Sequence, residues 1–404
     1  MHTASASFWG SHTRKTVTIT AFAFTVTMMG TTIPTPLYPI YAAELAFTPL
    51  TVTVLFAVYA LGVVGALLLF GRLSDEIGRR PVMLAAVGFA LLSAVLFLFP
   101  PSLPLLVVAR ILSGVGAGLM SGTGTAAIID LFPADRKPLA ATIAVTANSG
   151  GLALGTLLAG VLATVSPEPL VTPFVAHFAL AAVALVALNR GTPAPASRGR
   201  FRVRPQRLSV PRAIRGAFVR AVLAAGTGFA TAGVLTAVSG LFLSRHLGLP
   251  SHALAGFVVF LTFAGMALGQ LIAKRATPAA AIPLGCAGLA LGSGVLALAL
   301  ATATLVPLIG ASAILGLASG LCLSAGLATT VEQVPPDARG GVSSAFFAGL
   351  YVMLACPAIG VGLTAARTGL ITAGLVFCAL TAATAITLVA VTAVDARRSG
   401  TAAH

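Results

Sequence analysis

Long uncharged apolar runs, separated by short polar or basic breaks, occupy almost the whole of this chain. A helix rises about 1.5 Å per residue, so about 20 apolar residues cross a hydrocarbon core ~30 Å thick. On that measure the runs predict twelve membrane-spanning helices, over roughly 17–41, 48–70, 82–99, 104–129, 139–165, 171–189, 217–244, 252–273, 280–301, 304–330, 340–364 and 369–393. The expected fold class is an all-α integral membrane protein. Composition agrees, with 58% hydrophobic and 8% charged residues against about 25% charged in a soluble domain.

The breaks carry the charge, and its distribution predicts a topology. Cytoplasmic loops retain lysine and arginine. Placing Arg14, Lys15, Arg72, Arg79, Arg80, Arg136, Lys137, the nine arginines from Arg190 to Arg220, Lys274, Arg275, Arg339, Arg397 and Arg398 on one side collects 21 of the 24 bases there. Only Arg245 and Arg367 fall on the other side, and Arg110 alone lies inside a span. Both termini are therefore expected in the cytoplasm of a multi-pass protein. The preference for arginine over lysine in an alanine-rich chain suggests a high-GC bacterial genome, hence a bacterial plasma membrane. A net charge of +15 does not imply nucleic acid, because no soluble segment is large enough to fold around it. Cys286, Cys322, Cys356 and Cys378 all lie in apolar runs and suggest neither a disulfide framework nor a metal site.

One break differs from the rest. Gly71-Arg72-Leu73-Ser74-Asp75-Glu76-Ile77-Gly78-Arg79-Arg80-Pro81 packs two acids, three arginines and two glycines between the second and third spans. The pattern of Gly71, Leu73, Asp75, Gly78, Arg79 and Arg80 resembles the signature loop of the major facilitator superfamily (MFS). Only Glu76 departs, where the family usually places a base. An ordinary positive-inside hairpin would account for the arginines, but not for Asp75 or the glycines.

The chain also repeats itself at an offset of 202 residues. Gly114, Gly118 and Gly124 meet Gly316, Gly320 and Gly326, while Asp130, Pro133, Asp135 and Lys137 meet Glu332, Pro335, Asp337 and Arg339. Two parallel repeats around a central site form a transporter architecture. The expected domains are a six-helix half over 1–189, a basic cytoplasmic linker over 190–216 and a second, pseudo-symmetric half over 217–404. The linker reads either as a solvated tether or as a segment lying on anionic lipid.

Candidate chemistry inside the spans is sparse. All nine acids fall in loops or near helix ends, which disfavours strongly cationic substrates and a simple carboxylate proton relay. Arg110, followed by Gly114, Gly116 and Gly118, reads either as a cavity residue or as an arginine that snorkels to the interface. The resemblance adds a fourth-helix motif associated with proton transfer in the family. Asn148, His177, Gln270 and Tyr351 are the other polar candidates for coupling or cavity lining, with scattered hydroxyls such as Thr27, Thr31, Thr227 and Thr231. Gly150, Gly151, Gly155 and Gly160 resemble the family's antiporter motif, although Thr156 stands where that motif has proline. Pro357 is expected to kink the eleventh span.

No phosphate loop, His-Glu-x-x-His or Gly-x-Ser-x-Gly signature occurs, so no catalytic residue, metal or cofactor is expected. The expected function is secondary transport of a small molecule by alternating access, most like proton-coupled efflux of drugs or metabolites. Proton-coupled uptake is the alternative within transport, and a transport-inactive sensor or a membrane enzyme the alternative outside it. The expected partners are substrate, protons and membrane lipid, and the expected state is a monomer. The resemblance further implies that Asp75 contacts the N-terminus of the eleventh span across the halves, a contact closed when the cavity faces outward and broken when it faces inward, and Arg79 is expected to pair with Asp130 at the inner end of the fourth span.

The topology is checked by thiol labelling of intact cells. Cysteines introduced at Ser102, Ser166 and Thr368 should react with an impermeant reagent added outside, and one at Ser197 should not; labelling of Ser197 would reverse the assignment.

Overall fold

The computed structural model describes residues 11–99, 101–193 and 210–401. The arginine-rich centre of the expected linker, 194–209, lies outside the described residues. Within them the chain runs α1 (Ser11–Thr32), α2 (Tyr38–Glu44), α3 (Pro49–Phe70), α4 (Leu73–Ile77), α5 (Arg79–Phe97), α6 (Leu103–Asp130) and α7 (Lys137–Val165). It continues with α8 (Thr172–Gly191), α9 (Arg215–Arg245), α10 (His252–Ala273), α11 (Pro278–Thr302), α12 (Leu305–Glu332), α13 (Pro336–Thr368) and α14 (Leu370–Thr401). Counting α1 with α2 as one crossing, twelve segments are long and apolar enough to span a membrane. An even count puts the α4 hairpin, the α8–α9 connection and both chain ends on one side, called here the linker end. The opposite side is the far end.

Local chemistry sets the helix boundaries. Pro49, Pro104, Pro138 and Pro173 stand in the first turn of α3, α6, α7 and α8, where a missing N–H costs nothing. Thr48 and Ser251 cap α3 and α10 by accepting from Thr51 N and Leu254 N, each at 3.2 Å. Proline also breaks the first crossing, which the apolar run alone presents as one helix over 17–41. Pro34, Pro36 and Pro39 supply no N–H and clash with the preceding turn, so α1 stops at Thr32 and a 3-10 turn at Thr35–Leu37 leads into α2. By contrast α13 continues as one helix through Pro357.

Helices α1–α8 precede the linker and α9–α14 follow it, and the sequence repeat reappears as a packing repeat. A Cβ on Gly114 of α6 would strike Tyr59 O and Gly62 Cα of α3, and one on Gly118 would strike Val63 O. In the second half a Cβ on Gly316 of α12 would strike Thr262 O of α10, and one on Gly320 would strike Met266 O. Lipid tails are as apolar as leucine, so helices associate in a membrane through this kind of close backbone approach.

The halves meet along two seams, α7 with α10 and α3 with α13. At the far end Gly160 lies against Gly256, Gly362 receives Leu50 and Thr53, and Ala253 N donates to Thr164 Oγ1 at 3.0 Å. His252 Nδ1 lies 3.2 Å from Pro36 O. The α7–α10 seam continues toward the linker end through Gln270 Nε2, which donates to Ser149 Oγ at 3.0 Å, and Lys274 Nζ, which donates to Thr142 Oγ1 at 3.3 Å.

Candidate functional site

The break between α1 and α2 creates the site's electrostatics. The last carbonyls of a helix lack N–H partners and carry the negative end of its dipole, about half an elementary charge. Thr31 belongs to that last turn of α1. Its carbonyl accepts from Arg110 Nη1 at 2.6 Å, and Leu55 O of α3 accepts from Arg110 Nε at 3.4 Å. Arg110 is only 2% exposed, which excludes the snorkelling reading. The guanidinium also lies over the Tyr59 ring at 4.7 Å and near the Phe56 ring at 6.0 Å. Such contacts gain about 2 kcal/mol or more each when desolvated. Arg110 is thus held by a helix end and aromatic faces, and among the described residues it forms no ion pair.

Around it stands an aromatic cluster that bridges the halves. Tyr59 of α3 and Tyr351 of α13 meet edge to face at 6.5 Å, and Tyr351 meets Phe229 of α9 in the same manner at 6.0 Å. The Tyr59 hydroxyl interacts with both Thr31 and Tyr351. Tyr38 lies within Coulombic range of Arg110, yet its buried hydroxyl has no hydrogen-bond partner. A buried hydroxyl left unsatisfied costs about 1–3 kcal/mol, so the cluster holds a polar group that a bound molecule would satisfy. Tyr59, Phe229 and Tyr351 sit near the middle of α3, α9 and α13.

The remaining polar candidates have other surroundings. His177 is 2% exposed inside the first half, its Nε2 3.0 Å from Val26 O and its ring filling the space beside Gly30. Gln270 is occupied at the α7–α10 seam by Ser149. Its neighbour on α7, Asn148, has a buried Oδ1 without a partner, and the groups bonded to Arg110 are carbonyls rather than Asn148. Thr27, Thr31, Thr227 and Thr231 each donate to a carbonyl of their own helix, at 2.7–2.8 Å.

At the linker end the hairpin is organised by Arg79. Gly71 ends α3 and α4 forms a single short turn, after which Gly78 takes φ 95°, a conformation L side chains rarely adopt. Leu73 is buried beneath it. Arg79 Nη1 donates to Asp75 Oδ1 at 2.5 Å and to Ser74 Oγ at 2.7 Å, while its Nε donates to Asp130 Oδ2 at 3.2 Å. Arg80 donates to the carbonyl and the side-chain oxygen of Asn189 at the end of α8. Asp75 therefore turns onto its own hairpin. Among the described residues its hydrogen bond and ion pair go to Arg79 and none goes to α13. Both Asp75 and Asp130 are largely exposed, and such pairs contribute only ~0–1 kcal/mol.

A family model described as the Major Facilitator Superfamily matches residues 20–356. The chain belongs to that superfamily. By family and fold it is a multi-pass membrane protein. A curated relative, "Putative multidrug resistance protein MdtD" of Salmonella dublin, is 32% identical over 151 residues, covering 37% of this chain and 32% of the relative. Its counterpart in Cronobacter sakazakii is 31% identical over 144 residues, covering 36% and 31%. The match thus spans about a third of these relatives' length. Among solved structures, a bacterial homologue of the human lysosomal transporter Spinster, inward-facing and occupied, superposes with a TM-score of 0.68 at 14% identity, over 96% of this chain and 97% of that one. Its inward-facing, unoccupied form gives 0.65 at 16% identity, over 97% and 95%.

The geometry makes a definite demand on Arg110. A lysine has no planar fork and cannot serve two carbonyls and an aromatic face together. Arg110→Lys should lower the initial transport rate at least tenfold, the equivalent of one charge-assisted hydrogen bond, with unchanged membrane insertion and elution profile. An unchanged rate would make Arg110 structural only.

Proposed function

We propose that the protein is a proton-coupled efflux transporter for small aromatic molecules that are neutral or anionic, working by alternating access in a bacterial plasma membrane with both termini cytoplasmic. The observation that carries this reading is the buried Arg110 inside a tyrosine and phenylalanine cluster at the seam of the two halves. Aromatic walls take flat apolar groups by stacking. The guanidinium and the unpartnered Tyr38 hydroxyl offer a donor set for a carbonyl, phenolate or carboxylate, and the positive field repels cations. The multidrug-resistance names of the relatives support export over import.

The test is accumulation of a panel of anionic, neutral and cationic fluorescent dyes in overexpressing cells, with and without a protonophore. Anionic or neutral dyes should be held several-fold lower than in vector controls, and the protonophore should abolish the difference. Equal accumulation of every dye would refute efflux, and higher accumulation would favour uptake.

The hairpin fits the same cycle. With the linker end in the cytoplasm, the inward-facing state of that cycle is one in which the far-end contacts hold. Asp75, paired here with Arg79, would reach the α13 N-terminus when the linker end closes, where a carboxylate contributes up to ~2 kcal/mol, or about a thirtyfold population shift. A cysteine at Thr53, sealed here against Gly362, reports on far-end opening. In Asp75→Asn its labelling from outside should fall and transport should slow, with insertion intact; level or faster labelling would leave the hairpin as a topology anchor.

A further inference from the structure

We infer that the groove between α1 and α8 at the linker end is a binding site for one anionic glycerophospholipid, whose phosphate is held between Lys15 and Arg190. The groove has a volume of about 520 Å³, within the range of small-molecule sites. Ile19 of α1 and Val183, Val186 and Ala187 of α8 form its walls, and Lys15 and Arg190 stand at its mouth. Val183 and Val186 are 58% and 48% exposed. Of the first six spans, α8 is the least enclosed by protein, with 33% of its apolar window buried. Water is not the neighbour of such a surface in a membrane, so acyl chain is.

The head of the groove is built as well as its walls. Gly191 leaves room for Ile19 Cδ1, and Thr16 Oγ1 donates to Gly191 O at 3.5 Å, so the ends of α1 and α8 are drawn together. Among the described residues neither Lys15 nor Arg190 is in a salt bridge. Two unpaired cations from different helices therefore flank one apolar channel at the depth where a span ends. That matches a phosphodiester with its chain hanging into the membrane, the chemistry by which basic pockets between helices select anionic lipid. Each base near an anionic surface is worth about a fivefold preference, and the two together about thirtyfold.

The site is tested on the full chain in vesicles, with a tryptophan reporter at Val186 and Trp9→Phe removing the natural indole. Vesicles contain phosphatidylglycerol and phosphatidylcholine, one of them brominated at a time. Brominated phosphatidylglycerol should quench Val186→Trp several-fold more than its mole fraction predicts, and brominated phosphatidylcholine correspondingly less. A reporter at Val175, three turns away on the same face of α8 toward the far end, should show no preference. Lys15→Gln with Arg190→Gln should abolish the preference at Val186, whereas Lys15→Arg with Arg190→Lys should keep it. Equal quenching by the two lipids, an equal preference at Val175, or a preference surviving the glutamine pair would overturn the site. Quenching by neither lipid would mean that protein covers the groove, and would overturn it also.

Discussion

A guanidinium buried in a membrane protein without a carboxylate must be held by something else, and here the C-terminus of α1 holds it. Pro34, Pro36 and Pro39 stop that helix part-way across, and the stop frees the Thr31 carbonyl for Arg110. A continuous first helix would have engaged that carbonyl internally and carried its dipole end to the membrane surface. The same break lets Tyr38 and Tyr41 enter the buried cluster that the first half shares with α9 and α10. One local defect, dictated by proline, thereby supplies both the counter-dipole for the charge and Tyr38 within range of it.

The close approach of α3 and α6 completes the arrangement. Gly62 and Gly114 bring the two backbones together, and one or two turns along from Gly62 toward the α3 N-terminus lie Tyr59 and Leu55, the ring and the carbonyl that face Arg110. Bulk at the glycines would move both away from the charge. Packing and electrostatics are therefore not separable here. The absence of a carboxylate also has a mechanistic consequence, because a site held by dipoles and rings keeps its positive field in every protonation state of the protein's acids.

Much of this was legible in the residues. The twelve crossings, the hairpin and the repeat followed from apolar run length, from the spacing of Gly71, Asp75, Gly78 and Arg79, and from the paired glycines of α6 and α12. Arg110 stood out because it is the single base inside a span. What surrounds it did not, because its partners are main-chain carbonyls and ring faces, which leave no mark in a search for acids. A cue was nevertheless present: the chain has only four tyrosines, at 38, 41, 59 and 351, and three of them gather at Arg110. The proline cluster was visible too, but run length alone carried the first span across it. His177 and Gln270 drew notice as polar residues in apolar surroundings; His177 lies against Val26 O, and Gln270 donates across the α7–α10 seam to Ser149.

Glycine contacts serve two different ends, and their placement separates what stays rigid from what moves. Those inside a half, Gly114 on α3 and Gly316 on α10, bury backbone against backbone in pairs that the repeat duplicates, as a rigid body requires. Those between halves include Gly233 on Phe56 near the middle and, at the far end, Gly160 on Gly256 and Gly362 on Thr53. They are reinforced there only by neutral hydrogen bonds such as Ala253 to Thr164, each worth about 1 kcal/mol. A seam closed by dispersion and weak hydrogen bonds can part at modest cost, whereas a buried ion pair across it would lock the state. In a chain with so few acids, the far-end seam contains none among the described residues. The scarcity of charge that shapes the central site thus also leaves the far-end seam without an ion pair among the described residues.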